Sequence, residues 1–275
     1  MAGNLQGADL LLDAAVSDEG PARPEVQIEG LQRVLQAVFV DLSFGIDEAE
    51  QLGRGNAVHA LNYSCPFVPI PLPPMGKINS GLLTTTRYEV ESAERISLPC
   101  PFSWPLRIAN LKRCLLVSYL PIEGSDKQLV LVNLHLEAYD DGEGKTAQTR
   151  QLLSLMQAEA DKGNYVIVGG DFNQVFSNAD LSAWPVRDGT WQPGVVDAAD
   201  FGDAFTLLMD SASPTCRSLD QPLAGANRDD FQYYVIDGFI VSSNVNVVSL
   251  QTRDLGFTAT DHNPVVLTFT LSQEE

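Results

Sequence analysis

The sequence predicts a mixed α/β protein with buried sheets, and three observations carry that prediction. Leu129 to Leu136 (LVLVNLHL) is a continuous β-rich run after the polar turn Glu123-Gly124-Ser125-Asp126. Thr146 to Ala160 has the composition and apolar spacing of a helix. Asn164 to Val168 (NYVIV) is a second apolar run, ending at Gly169-Gly170. Strand, helix and strand alternate here, while strand-like runs elsewhere are adjacent, which makes the class mixed. The 275 residues are 44% apolar, enough for a sizeable core. No repeat, low-complexity block or linker divides them, so a single domain over 1–275 is the simplest organisation.

Taken in order, residues 8–24 are rich in Ala, Asp, Gly and Pro and read as a loop. Pro24 to Ala37 places Val26, Ile28, Leu31, Val34 and Leu35 at spacings that mostly fit one helical face. Val38 to Phe44 reads as a short strand. Residues 62–79 carry five prolines and read as a long irregular surface segment. Ser80 to Thr86 and Lys112 to Leu120 read as strands. After the three central elements, 177–230 is loop-rich with a short helix near 201–209, and Tyr233 to Val241 and Val265 to Leu271 are the last strands.

Acidic residues outnumber basic ones 36 to 17, a formal charge of −19. Long polyanions bind by releasing counterions to Lys and Arg, so this balance disfavours long nucleic acid and suits a small phosphate ester better. Cys65, Cys100, Cys114 and Cys216 contain no Cys-x-x-Cys pair, and there are three histidines, which argues against a structural zinc site. Buried free thiols are the default for them, with one disulfide left open. No apolar run reaches the ~20 residues of a membrane helix. No basic patch followed by an apolar stretch marks a signal peptide at the start. Neither compartment nor oligomeric state is legible.

Four polar clusters adjoin apolar strands. His135 ends LVLVNLHL, Asp171 and Asn173 follow NYVIV in Gly170-Asp171-Phe172-Asn173, Asp237 lies in YVIDGFIV, and Asp261 and His262 precede the last strand. A strand-end Asp is ordinarily a turn cap, and a single His a satisfied structural residue. Asp237 among Tyr, Val, Ile and Phe is harder to dismiss, because a buried acid needs a partner or a metal. Carboxylates for a hard cation, donors for phosphoryl oxygens and a histidine held by a carboxylate are what phosphoester hydrolysis requires.

These residues resemble the endonuclease/exonuclease/phosphatase superfamily, which includes deoxyribonuclease I. The matching pieces run in order as Asn133-Leu134-His135-Leu136, Gly170-Asp171-Phe172-Asn173, Ile236-Asp237-Gly238-Phe239 and Thr260-Asp261-His262-Asn263-Pro264. Ser80-Gly81-Leu82-Leu83, Arg87-Tyr88 and Arg150 also fit, and the likeness covers about residues 60–271. It implies a four-layer sandwich: two facing mixed sheets flanked by helices, with the site at one end. It implies Mg²⁺ or Mn²⁺ as cofactor, with Asp261 a metal ligand. Asp171 would orient or deprotonate water, and Asn173 would hold water or phosphate. His262 would act with Asp237, His135 would contact the phosphate or assist the leaving group, and Asn133 and Arg150 would contact substrate. Acid and base are not assigned between the histidines.

The N-terminal part, about 1–45, departs from that pattern. The family's Asn at the end of the first strand could be Asn4, with almost no strand before it. The metal-binding Glu of Leu-Gln-Glu-Val is replaced by Ala37 in Leu35-Gln36-Ala37-Val38. A second register puts Asp41 at the strand end, a third reading has the segment with the Glu missing, and Asp47 and Glu48 read as a helix start. The helical pattern over 26–37 favours the second or third. Two functions follow: a divalent-metal-dependent phosphodiesterase or phosphomonoesterase, or a weakened member that binds a phosphoryl ligand or a partner. Substrate choice would lie in 62–79 and 177–230, and Trp104, Trp184 or Trp191 could stack on a base or sugar, although Trp more often packs.

Overall fold

A computed structural model describes residues 9–10, 36–40, 56–68, 76–102, 112–140, 142–258 and 260–272. The central sheet is built on β6 (Cys114–Pro121), β7 (Gln128–His135) and β8 (Tyr165–Asp171), with β7 and β8 parallel and joined through helix α1 (Glu143–Ala160). β5 (Ser92–Ser97) pairs with β6 at one edge. β14 (Asp237–Ser242) pairs antiparallel with β8, and β11 (Phe205–Leu208) closes the other edge. The six-stranded order is β11-β14-β8-β7-β6-β5.

Side chains alternate faces along a strand, and here both faces are covered. Val130, Val132, Leu134, Val166 and Val168 pack against Leu152 and Met156 of α1. Leu129, Leu131, Ile167, Phe239 and Val241 face the other way, onto Val265, Leu267, Phe269 and Leu271 of β16 (Val265–Leu271). β16 forms an antiparallel hairpin with β15 (Val245–Thr252). Apolar runs without alternation are what such doubly covered strands require.

A second sheet lies on the hairpin's side of the first. Its order is β1 (Asp9–Leu10), β2 (Gln36–Val40), β4 (Gly76–Thr86), β3 (Asn56–Val68), all antiparallel. Ala60 and Leu82 of this sheet pack on Cys114 and Leu116 of β6. Asn133 of β7 donates across the gap to the Leu83 carbonyl at 3.0 Å and to Thr84 Oγ1 at 3.3 Å. Two sheets face to face with a helix outside make the deoxyribonuclease I-like sandwich.

Three expectations need correction. Gln36 and Ala37 are strand, not helix end: β2 pairs with Gly81–Thr85 of β4, and that ladder overrides the helical spacing of residues 26–37, of which 26–35 lie outside the described residues. Residues 62–68 and 76–79 belong to β3 and β4 rather than to an irregular segment. Pro66 is accommodated because β3 is at the edge of the described sheet, and its register shifts between Cys65 and Val68. The helix expected near 201–209 is a short 3-10 segment, Ala198–Ala204, followed by β11.

Candidate active site

Strand register assembles the site. His135 is opposite Asp171 in the β7–β8 pair, and Asp171 is opposite Asp237 in the β8–β14 pair. One row across three neighbouring strands, ~4.8 Å apart, thus carries His, Asp and Asp on the face that looks toward the second layer. His135 and Asp171 end their strands and Asp237 begins its own, so the row sits at the sheet's rim. Gly170 keeps the row close: at φ +147° a Cβ there would come within 2.0 Å of the Leu134 carbonyl oxygen.

The fourth member arrives from the segment before β16. Cys216 and His262 form an isolated antiparallel bridge that fixes His262 over the row. Its Nδ1 is 2.8 Å from Asp237 Oδ2, and its Nε2 is 4.0 Å from Asp171 Oδ2. His135 Nε2 is 3.4 Å from the same Asp171 oxygen. Asp171 Oδ1 accepts from the Asn173 backbone N–H at 2.7 Å, and Asn173 adopts φ 50° with its amide donating to the Leu136 carbonyl at 2.9 Å.

Burial and charge push these groups apart in acidity. Burial and the Asp237 carboxylate raise the Asp171 carboxyl to about 7, against the opposing pull of His262, the Asn173 N–H and Arg113. Burial alone would lower His262, but the Asp237 carboxylate, the Cys216 thiol and their hydrogen bonds outweigh it and hold the imidazole well above its usual range. Burial, Arg113 and His262 push His135 well below its usual range. Near neutral pH the site therefore holds one imidazolium, one neutral imidazole and a carboxyl poised to exchange a proton.

Sequence reasoning missed Arg113, Glu137 and Cys216. Arg113 is buried, its Nε is 3.6 Å from Glu137 Oε2, and its field reaches both Asp171 and His135. A lone Arg at the start of LKRCLLV and a lone Glu just after LVLVNLHL were the available signals, since neither is readily buried unpaired.

Asp261, half-buried, adjoins His262, with Thr260 Oγ1 3.4 Å from its Oδ1. Asn133 stands two residues before His135 with its amide turned to the second sheet, so the sheet-to-sheet tie is its visible work. Arg150 is exposed on α1 and is not among the residues that meet Asp171. Asn4, Asp41 and Trp104 lie outside the described residues. Ala37 lies in β2, in register with Thr84, the residue that Asn133 contacts. Trp184 and Trp191 pack edge-on against Tyr233 and Tyr234, their ring N–H groups bonded to the carbonyls of Ser211 and Ala138.

The fold is that of the endonuclease/exonuclease/phosphatase structures. An endonuclease/exonuclease/phosphatase protein from Beutenbergia cavernae aligns with a TM-score of 0.54 at 18% identity over 82% of this chain, which spans 56% of that one. D. rerio TDP2, solved with a single-strand DNA product, aligns at 0.53 with 15% identity over 85% of each chain. ANGEL2, a 2',3'-cyclic phosphatase, aligns in its adenosine-2',3'-vanadate complex at 0.54, with 12% identity over 90% of this chain and 81% of that one. No protein-family model and no curated protein matches the sequence.

Proposed function

We propose that the chain is a divalent-metal-dependent phosphoester hydrolase of the endonuclease/exonuclease/phosphatase superfamily, a phosphodiesterase or phosphomonoesterase. The observation that carries this reading is the convergence of His135, Asp171, Asp237 and His262, linked by contacts of 2.8 to 4.0 Å, at the rim of the central sheet. The fold is shared with a cyclic phosphatase and with a protein solved with a DNA product, which favours phosphoester chemistry.

The donor set fits a cation. Carboxylate oxygens of Asp171 and Asp237 lie within 4.8 Å of each other, and Asp237 Oδ1 is fully buried with no hydrogen-bond partner among the described residues. Asp261 adds a carboxylate that is not fully buried, and hard oxygen donors of this kind suit Mg²⁺ or Mn²⁺. Such an ion would supply Lewis acidity at a phosphoryl oxygen. Asp171, held by the Asn173 N–H, orients water and takes up its proton, for which a carboxyl near 7 is well matched. His262, kept protonated by Asp237, offers positive charge and an N–H to the phosphoryl group. His135, kept neutral, accepts or relays a hydrogen bond beside it.

Hydrolysis of generic phosphate mono- and diesters should stop on EDTA treatment and in the Asp171→Asn/His262→Ala double variant. Turnover that survives either treatment sinks the reading. Ala37 favours a second one, a weakened member that binds phosphoryl ligands, because the position lacks the Glu of Leu-Gln-Glu-Val and lies on a strand. Calorimetric titration finding no Mg²⁺ binding up to millimolar metal would favour it. Ala37→Glu should then raise both Mg²⁺ affinity and turnover at least tenfold. No gain would leave Asp41 or a missing segment as the explanation.

A further inference from the structure

We infer that Cys216, Asp261 and His262 form a site for a thiophilic divalent cation of the Zn²⁺ class, and that filling it draws His262 and Asp261 out of phosphoester hydrolysis. The inhibitory half rests on the hydrolase reading above; the metal site itself does not.

The backbone builds the pair of donors. Arg217 N–H bonds to the Asp261 carbonyl at 2.9 Å and Asn263 N–H to the Thr215 carbonyl at 2.7 Å. These two bonds flank the Cys216–His262 bridge, so the bridged residues are a non-hydrogen-bonded pair, the kind whose side chains stand closest. The thiol and the imidazole are therefore held side by side by the sheet. Asp261 precedes His262, and one ligand atom from each of the three lies within 4.8 Å of the others. Tetrahedral zinc with its usual Zn–S and Zn–N bonds brings such atoms to roughly 3.5 Å apart, a rotamer-scale adjustment.

Two further features suit the site to zinc. Asp237 holds His262 from behind at 2.8 Å, the carboxylate–histidine arrangement that orients a metal-bound imidazole. The other oxygen of Asp237 is buried with no hydrogen-bond partner among the described residues, so the imidazole answers its carboxylate only in part and a cation is favoured nearby. Sulfur selects the ion: a thiol is a poor ligand for Mg²⁺ but a strong one for Zn²⁺ and Co²⁺. Three protein ligands leave a fourth position for water. A ring nitrogen bound to metal cannot also present a proton to phosphate, and an Asp261 carboxylate bound to zinc is a weaker donor to a second cation, so zinc and hydrolysis compete for the same residues.

Co²⁺ titration of the full chain tests this. The wild type should develop a sulfur-to-cobalt charge-transfer band that Zn²⁺ abolishes stoichiometrically. Cys216→Ala and Cys216→Ser should lack it, and Cys114→Ala, which removes another buried thiol, should keep it. With Mg²⁺ in excess, hydrolysis should fall at least tenfold as Zn²⁺ saturates the site, and the inhibition ratio, each protein referred to its own zinc-free rate, should drop toward one in the Cys216 variants. A missing band, or one that persists in both folded Cys216 variants, overturns the site. A normal band with undiminished hydrolysis overturns the competition. In a chain with no hydrolysis at all the band still decides the metal site, and the hydrolase reading fails separately.

Discussion

Arg113 and Glu137 form a buried ion pair whose field reaches the site. Arg113 is 4% exposed and Glu137 2%. Nε and Nη1 of the guanidinium make no hydrogen bond among the described residues, while Glu137 Oε1 accepts from the N–H groups of Ala138 and Tyr139 at 3.0 and 3.1 Å. A buried pair of this kind adds little net stability, but breaking it leaves a charge stranded. Arg113→Met should therefore lower unfolding free energy by about 3 kcal/mol. Adding Glu137→Gln, which keeps the acceptor and removes the charge, should restore most of it. Urea titration of the two proteins checks this; a double variant no more stable than the single one refutes the pairing. Such an ion pair was invisible in the sequence because its halves lie on either side of β7 and meet only through pairing with β6. Asp171, Asp237 and His262 were legible for the opposite reason, each being a polar residue set against an apolar strand.

At the level of elements, β7, β8 and β16 were legible because residues apolar on both faces have little alternative to a covered sheet. Val38 to Val40 of β2 were legible too, but Gln36, Ala37 and most of β3 were not. Gln36 to Val40 and Asn56 to Val68 are strands because β4 lies between them, and that partner is remote in sequence from β2. The same dependence on pairing makes the β7–β8 register the element that places His135 against Asp171. Gly170→Ala should disturb it: the new Cβ meets the Leu134 carbonyl at 2.0 Å, and φ +147° is closed to Ala. A loss of about 3 kcal/mol or more is expected, with hydrolysis reduced at temperatures where the variant is still folded. Gly238→Ala is a contrasting probe one strand away, crowded at 2.5 Å by the Leu208 carbonyl, on β11 rather than β7. Denaturant midpoints and kcat for both separate stability from site geometry. A Gly170→Ala protein with the wild-type midpoint would show that the close approach of β7 and β8 is dispensable.

For the whole molecule the dominant quantity is the formal charge of −19. It was fully legible in the sequence, whereas the buried Arg113 beside the site was not, and the two act at different ranges. To a phosphate at the proposed site Arg113 and His262 would be attractive, but a long polyanion must first approach a surface that repels it. That repulsion reaches about 30 Å at 0.01 M salt and about 8 Å at 0.15 M. A short ester is small enough to feel mainly the buried local cations, which salt screens little, so its kcat/KM should stay nearly constant. A duplex or single-stranded oligonucleotide of twenty or more phosphates should behave oppositely. Its kcat/KM should rise severalfold from 0.01 to 0.15 M monovalent salt at fixed Mg²⁺, the reverse of the steep decline that counterion release imposes on proteins built to grip DNA. Parallel rate measurements on a small diester and on the oligonucleotide isolate the difference. An oligonucleotide rate that drops with salt would mean that a basic tract overrides the net charge, and long nucleic acid would then return as a natural substrate.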